Sequence, residues 1–339
     1  MASPDFVIAG AGIIGLSLAL ELDRRGASVV VLDAANAMQQ TSSAAAGMLA
    51  VGDPKNPEAL RPLSQLSAAL YPRFLDRIAA LSGTFIPFQT TAVLEAADLH
   101  GALADPNEIL PGLDARNHHF HLLDERSVDP RQLAGGLRDA VRNTRVDLRE
   151  QTSLKRIAAS RDGVRSYTSG QPLESAYVID CMGSWSPAPV YPRKGQMLAV
   201  RIPPTLDLAC VVRTPDVYIV PRTQGPHAGR AIIGATLEDA GFDMTVHPPD
   251  ILTLNAHAVK LLPALARAEF LDSWSGLRPA TADGLPLLGA TSGQPRYVLA
   301  NGHFRNGILL APATAQVMAQ LLCNEEPSVE LTPFRPDRF

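Results

Sequence analysis

The chain of 339 residues is 46% hydrophobic and 19% charged, which supplies apolar material for a sizeable core and length for two domains. A net charge of −4 argues against nucleic acid as a partner, because that function calls for a clustered basic face. Cys181, Cys210 and Cys323 are widely separated with no CxxC pair, which excludes a disulfide scaffold, a four-cysteine zinc site and a redox dithiol; no metal site is expected.

The N-terminus carries no basic leader and no cleavage site, and the longest uncharged apolar run, residues 6–20, is too short to span a bilayer and is interrupted by glycines. A soluble, cytoplasmic protein without an integral membrane segment is expected.

The stretch "DFVIAGAGIIGLSLALELDRRGASVVVLDA" (5–34) predicts strand, tight turn, helix and strand. Phe6 to Ala9 is the first strand, the helix runs from about Ile13 to Arg25 with Gly26 as its stop, and 28–33 is a β-branched second strand. Gly10, Gly12 and Gly15 form the G-x-G-x-x-G spacing: one glycine for the turn, one for backbone approach to a pyrophosphate, one for close helix packing. The helix N-terminus offers unpaired N–H donors to phosphate, and Asp33 falls near the offset of about 20 residues at which a carboxylate meets an adenosine ribose. A dinucleotide is expected here, with FAD and NAD both compatible.

Next, "QTSSAAAGMLA" (40–50) is a run of hydroxyl and small residues. It suits a segment lying against a flat ligand and donating backbone N–H groups, or the start of a small-residue helix. Then "SVDPRQLAGGLRDAVRNTRVDLREQ" (127–151) predicts another strand–helix–strand unit, with Asp129 as N-cap, Pro130 at the first helical position and 145–150 as the strand. "AYVIDCMGSWS" (176–186) is an apolar strand whose Gly183 serves either close approach to the cofactor or a plain turn. No second glycine fingerprint follows, which favours a flavin enzyme reduced by its own substrate over a nicotinamide-driven reductase. Near the end, "GHFRNGILLAPATA" (302–315) sets one arginine, Arg305, among small and apolar residues with no neutralising neighbour in sequence.

The motifs "AGAGIIG" (9–15), "TSSAAAGML" (41–49), "RKGQ" (193–196), "YIVPR" (218–222), "GAT" (234–236), "WSGLRPATADGLPLLG" (274–289) and "GHFRNGILLAPATA" are spread in order over almost the whole chain. In them the sequence resembles the D-amino-acid oxidase family of FAD enzymes, and within it the glycine oxidase group of thiamine biosynthesis. The resemblance implies an α/β, two-domain fold: a Rossmann-like FAD domain (1–84, 127–187 and 275–339) and a substrate domain (85–126 and 188–274) with a largely antiparallel sheet. In that sheet 217–222 and 230–236 would form a hairpin, covered by a helix over 249–265.

It further implies non-covalent FAD, held by Gly10, Gly12, Ile13, Ile14, Gly15, Asp33, Ala34, Thr41, Ser42, Ala46, Gly47, Met48, Leu154 and Gly183, and by His303, Phe304, Arg305, Asn306, Gly307, Ile308 and Leu309. The helix after "GHFRNG" would aim its N-terminus at the flavin pyrimidine, stabilising negative charge there. The small amino-acid substrate would meet Arg278, Tyr218, Arg305, Leu237 and Met48. Arg278 would grip its carboxylate bidentately, Tyr218 would assist, and Arg305 would lie close to both flavin and substrate, its charge matched by one of them. A buried core tyrosine and an arginine reaching out to solvent are the alternatives for the last two. His303 reads as structural or hydrogen-bonding.

The implied reaction is oxidative deamination of glycine, sarcosine or small D-amino acids by hydride transfer to flavin N5, with O2 as acceptor. It yields an imine, then a 2-oxo acid, ammonia and H2O2. Leu237 stands where methionine occurs in the group and Asp216 where some members have histidine, so substrate choice is less determined than reaction class. A D-amino-acid dehydrogenase using a quinone or carrier, and a catalytically silent interaction protein of the same fold, are the competing readings. Homo-oligomer formation and a thiazole-synthesis partner enzyme stay open.

Overall fold

A computed structural model describes residues 3–96 and 102–339. A six-stranded sheet has the order Leu287–Thr291, Gln294–Asn301, Tyr177–Asp180, Phe6–Ala9, Val29–Leu32, Asp147–Arg149. Its pairings are parallel except the first, a hairpin. Phe6–Ala9 and Val29–Leu32 are buried at every position, as uninterrupted apolar strands covered on both faces must be. Helix Ile13–Arg24 follows the glycine turn and ends at Gly26, whose φ of +88° is the left-handed conformation expected of its stop.

Helix Pro130–Arg142 starts as its sequence predicts. Asp129 accepts from the backbone N–H groups of Arg131 (3.0 Å) and Gln132 (3.5 Å), a cap worth about 1 kcal/mol. The strand expected before it is only Ser127–Val128, and it lies outside the six-stranded sheet. It pairs with Phe88–Thr90, and the Val128 N–H is taken by the Gly47 carbonyl. The segment after Asp147–Arg149 is an antiparallel meander, Leu154–Ala159, Val164–Thr168 and Leu173–Ser175, packed on the six-stranded sheet through Val7, Val30, Leu32 and Val178. It delivers Leu154 to the edge of the functional cavity.

The second sheet has seven strands: Glu269–Ala280, Tyr191–Arg201, Arg230–Gly234, Tyr218–Arg222, Val211–Arg213, Val93–Ala96 and Phe120–Leu123. Only Val211–Arg213 with Val93–Ala96 is parallel. The hairpin between the 218–222 and 230–234 strands forms as expected. Helix Pro248–Leu261 and the following turn of helix at Pro263–Arg267 cover one face, burying Ile251, Leu254, Ala258 and Leu261 against Leu198, Val200, Ile219 and Ile233. The expected domain boundary at 274/275 falls inside the strand Glu269–Ala280, which pairs with Tyr191–Arg201 along its whole length. Arg278 therefore sits on the seven-stranded sheet.

The helix Gly307–Leu322 is buried along most of its length and contains Pro312. Proline has no N–H for the carbonyl four residues back. That carbonyl, of Ile308, accepts instead from the Tyr71 hydroxyl at 2.6 Å, and the Ala313 N–H donates to Ser67 Oγ at 3.1 Å. Two side chains of helix Arg61–Ser82 thus satisfy the interrupted turn and hold the N-terminus of the apolar helix in place.

Candidate active site

Between the two sheets runs a cavity of about 1150 Å³, lined at one end by Gly10, Gly12 and Asp33 and at the other by Tyr218 and Arg278. The dinucleotide end is built from backbone. Gly10 has φ +103°, and a Cβ there would lie 2.3 Å from the Cys181 carbonyl oxygen. At Gly15 a Cβ would lie 1.9 Å from the Gly10 carbonyl oxygen, so this glycine seats helix on strand and does not itself line the cavity. The Asp33 carboxylate accepts from Ala11 N (2.7 Å) and Ala35 N (2.8 Å), which fixes it at the wall with lone pairs to spare. Ser42 Oγ accepts from Ile13 N at 3.0 Å, and Thr41 Oγ1 donates to the Leu277 carbonyl at 2.6 Å.

Residues 41–44 are a short helix, the second reading of the small-residue stretch, and Ala44, Ala45, Ala46, Gly47 and Met48 line the cavity. Trp274 Nε1 donates to Ala44 O and Arg222 Nη2 to Ala46 O, pinning this stretch from the substrate sheet. Gly183 has φ +59°, and a Cβ added to it would meet no protein atom within 4 Å, so its backbone conformation, not crowding, calls for glycine. From the far side, Asn306, Gly307 and Ile308 bring the N-terminus of the apolar helix to the cavity. Ile14, Ala34, Phe304 and Leu154 also line it. Leu309 does not: it is 1% exposed and packs in the core. Its side chain lies on the helix face turned to the core.

His303 is buried, with Nε2 3.1 Å from Thr314 Oγ1, and burial pushes its pKa down to about 3, so it stays neutral. Tyr297, Ser186 and Asn301 donate to the buried Asp180, and Asn301 Nδ2 also donates to the Gly183 carbonyl (3.2 Å), tying two cofactor-side turns together. Burial holds the Asp180 carboxyl above its ordinary range.

The other end is built from side chains on neighbouring antiparallel strands. Arg278 Nη1 donates to the carbonyls of Thr236 (3.2 Å) and Lys194 (3.4 Å). A Cβ on Gly195 would lie 2.2 Å from both Nη1 and Nη2, so the guanidinium rests on the bare backbone of that glycine. The register Gly195↔Gly276 and Arg193↔Arg278 places it there. Gly234 makes the same allowance for Tyr218: a Cβ would lie 2.5 Å from its hydroxyl oxygen. Burial holds the Tyr218 phenol above its usual pKa and lowers that of Arg278, which leaves a neutral hydroxyl beside a cation at neutral pH. Leu237 and Asp216 are exposed at the rim of the cavity.

The sequence alone led to the expectation that flavin or substrate would match the charge of Arg305. In the structure it meets Asp53: Nη1 is 3.3 Å from Asp53 Oδ2, and Nη2 donates to Asn56 Oδ1 at 3.4 Å. A buried Arg213, paired with Glu95 and Glu125, also reaches the cavity wall. Burial keeps both glutamates above the usual carboxylate range. Asp53, Asn56, Glu95 and Arg213 escaped the sequence reading because nothing local marks them. Gly195 and Gly234 lie inside the "RKGQ" and "GAT" motifs and follow from strand register.

The glycine cradle, the fixed carboxylate of Asp33, the helix N-terminus and the elongated cavity fit a dinucleotide carrying a flat ring system. The family model described as FAD dependent oxidoreductase matches residues 5–321. A glycine oxidase from Geobacillus kaustophilus is 30% identical, with 97% of this chain and 96% of that protein aligned. A crystal structure of glycine oxidase from the same organism superposes with a TM-score of 0.93 at 29% identity over 99% of both chains. A bifunctional protein ThiO/ThiG from Trichormus variabilis is 34% identical over 99% of this chain; the chain spans about half (55%) of that relative's length. The cavity between a glycine-turn sheet and an arginine-bearing antiparallel sheet thus has its counterpart in a known group of flavoproteins, and the chain belongs to the FAD-dependent oxidoreductase family that includes the D-amino-acid and glycine oxidases.

Proposed function

We propose that the protein oxidatively deaminates glycine or a similarly small amino acid or amine, with O2 as the acceptor. The observation that carries this reading is Arg278. Three guanidinium groups line the cavity at its substrate end, and Arg213 and Arg305 each face carboxylates of the protein. Among the described residues, Arg278 has no carboxylate within ion-pair distance; its Nη1 donates to two backbone carbonyls, and its other neighbour is the neutral Tyr218 hydroxyl. A half-buried cation in that condition favours an anionic ligand.

Bound FAD would supply the two-electron acceptor and pass the electrons to O2, releasing H2O2. The chain's own part is positioning. Arg278 holds the substrate carboxylate, the Tyr218 hydroxyl adds a neutral donor, and Met48 and Leu237 bound the remaining space. Gly10, Gly12 and Asp33 would hold pyrophosphate and ribose, and the N-terminus of the Gly307 helix would favour negative charge on the ring end. No acid–base dyad is required when the substrate amine enters neutral. The bifunctional relative supports thiazole synthesis as the setting, with a partner enzyme that consumes the imine.

The experiment is a panel of glycine, sarcosine and D-alanine on purified protein, read by flavin absorbance without oxygen and by H2O2 with it. Bleaching by at least one, with peroxide formed in air, is expected. A flavin that stays oxidised with all three removes the reading, and bleaching without peroxide replaces O2 by another acceptor.

A further inference from the structure

We propose that Asp53 is a specificity-determining residue: by occupying Arg305 it leaves the pocket a single guanidinium for anions, and so restricts substrates to those with one anionic group. This rests on the reading of Arg278 as the carboxylate grip.

The argument starts from charge. Beside Arg278, the substrate end of the cavity carries Arg305, Arg213 and Lys55. Arg305 faces Asp53, and Arg213 is enclosed by Glu95 and Glu125. The exposed Lys55 donates to the Pro215 carbonyl at 3.2 Å. Asp216 adds a further carboxylate at the rim. A second carboxylate on the substrate would have to displace Asp53 from Arg305 while facing Glu95, and like charges in so poorly hydrated a wall repel strongly.

The second step is that Asp53 cannot easily swing away. Its Oδ1 accepts from Lys55 N at 2.8 Å while Oδ2 faces Arg305. On one side Gly52 N donates to Glu125. On the other, Asn56 donates to the Ala50 carbonyl (3.0 Å) and accepts from Asn306 Nδ2 (2.9 Å). Both flanks of the aspartate are therefore anchored, one to the acidic wall and one to the turn that carries Arg305. Its side chain is 13% exposed and that of Arg305 26%, so solvent only partly screens the pair. An asparagine at this position keeps the acceptor for Lys55 N and removes only the charge.

The test uses the FAD-loaded enzyme and two non-oxidisable anions, acetate and malonate, titrated by perturbation of flavin absorbance above neutral pH. In the Asp53→Asn variant, malonate affinity relative to acetate should rise about ten-fold, as expected when a second ion pair replaces a repulsion. The kcat/KM of iminodiacetate relative to glycine should rise in the same sense. Asp53→Glu, which keeps the charge, should retain the wild-type ratio. An unchanged malonate-to-acetate ratio in a folded Asp53→Asn enzyme overturns the proposal, as does an equal change in Asp53→Glu, which would report loop damage. Acetate binding that survives Arg278→Ala would instead overturn the parent reading, whatever Asp53 does.

Discussion

The two ends of the cavity are made by different means. The dinucleotide end depends on what side chains are absent: Gly10 at φ +103° and Gly15 pressed on a carbonyl. The arginine-bearing end depends on side chains that are present, Tyr218, Arg278, Arg305 and Asp53, brought from positions far apart in sequence. Each needs a neighbouring strand or loop to give it room or charge balance. Backbone sites tolerate almost no substitution, whereas side-chain sites can be retuned residue by residue.

The contrast is sharpest at Arg278. Arg278→Ala should cut kcat/KM for the small substrate by about a thousand-fold, or about 4 kcal/mol, the usual scale for removing one partner of a buried charged interaction. FAD content should stay at the wild-type level; loss of flavin from this variant would show that the two ends are not separable. Gly10→Ala attacks the other end. The Cβ would sit 2.3 Å from the Cys181 carbonyl oxygen on a backbone that L-residues avoid, so stability should fall by about 2–4 kcal/mol and flavin should be lost. A stable, yellow variant would refute the backbone account.

Gly195→Ala crosses the two categories, because a missing side chain there serves a present one. Displacing the Arg278 guanidinium should raise KM by about ten- to hundred-fold, in the range of 1–3 kcal/mol for overpacking, with flavin retained. An unaltered KM would mean that the arginine has other room.

His303 is read as a slope of stability against pH, not as a single difference. Its folded pKa is depressed from 6.5 to about 3. As pH falls below about 6.5 the unfolded chain binds a proton that the folded chain refuses, so stability falls with pH by about 1.4 kcal/mol per unit until pH nears 3. Above pH 6.5 no contribution is expected. In this window His303→Gln should remove that part of the slope in urea denaturation, and an identical slope in both proteins would contradict the buried neutral state.

The N-terminal strand, turn and helix, the Asp129 cap and the 218–234 hairpin were all legible in sequence, because each is set by neighbours a few residues away. The failures have a common cause. Ser127–Val128 reads as a strand of the unit that follows, yet its backbone groups are claimed by Gly47 and Phe88–Thr90. Arg305 reads as unpaired, because its carboxylate is 252 positions away in the chain.

By itself, then, the sequence determined where the dinucleotide turn lies, since backbone conformation is set locally. Only the tertiary structure decided how the charges of the pocket are balanced. Ion pairing depends on distances of a few ångströms through a poorly screened interior, and such distances arise when strands and loops remote in the chain pack together.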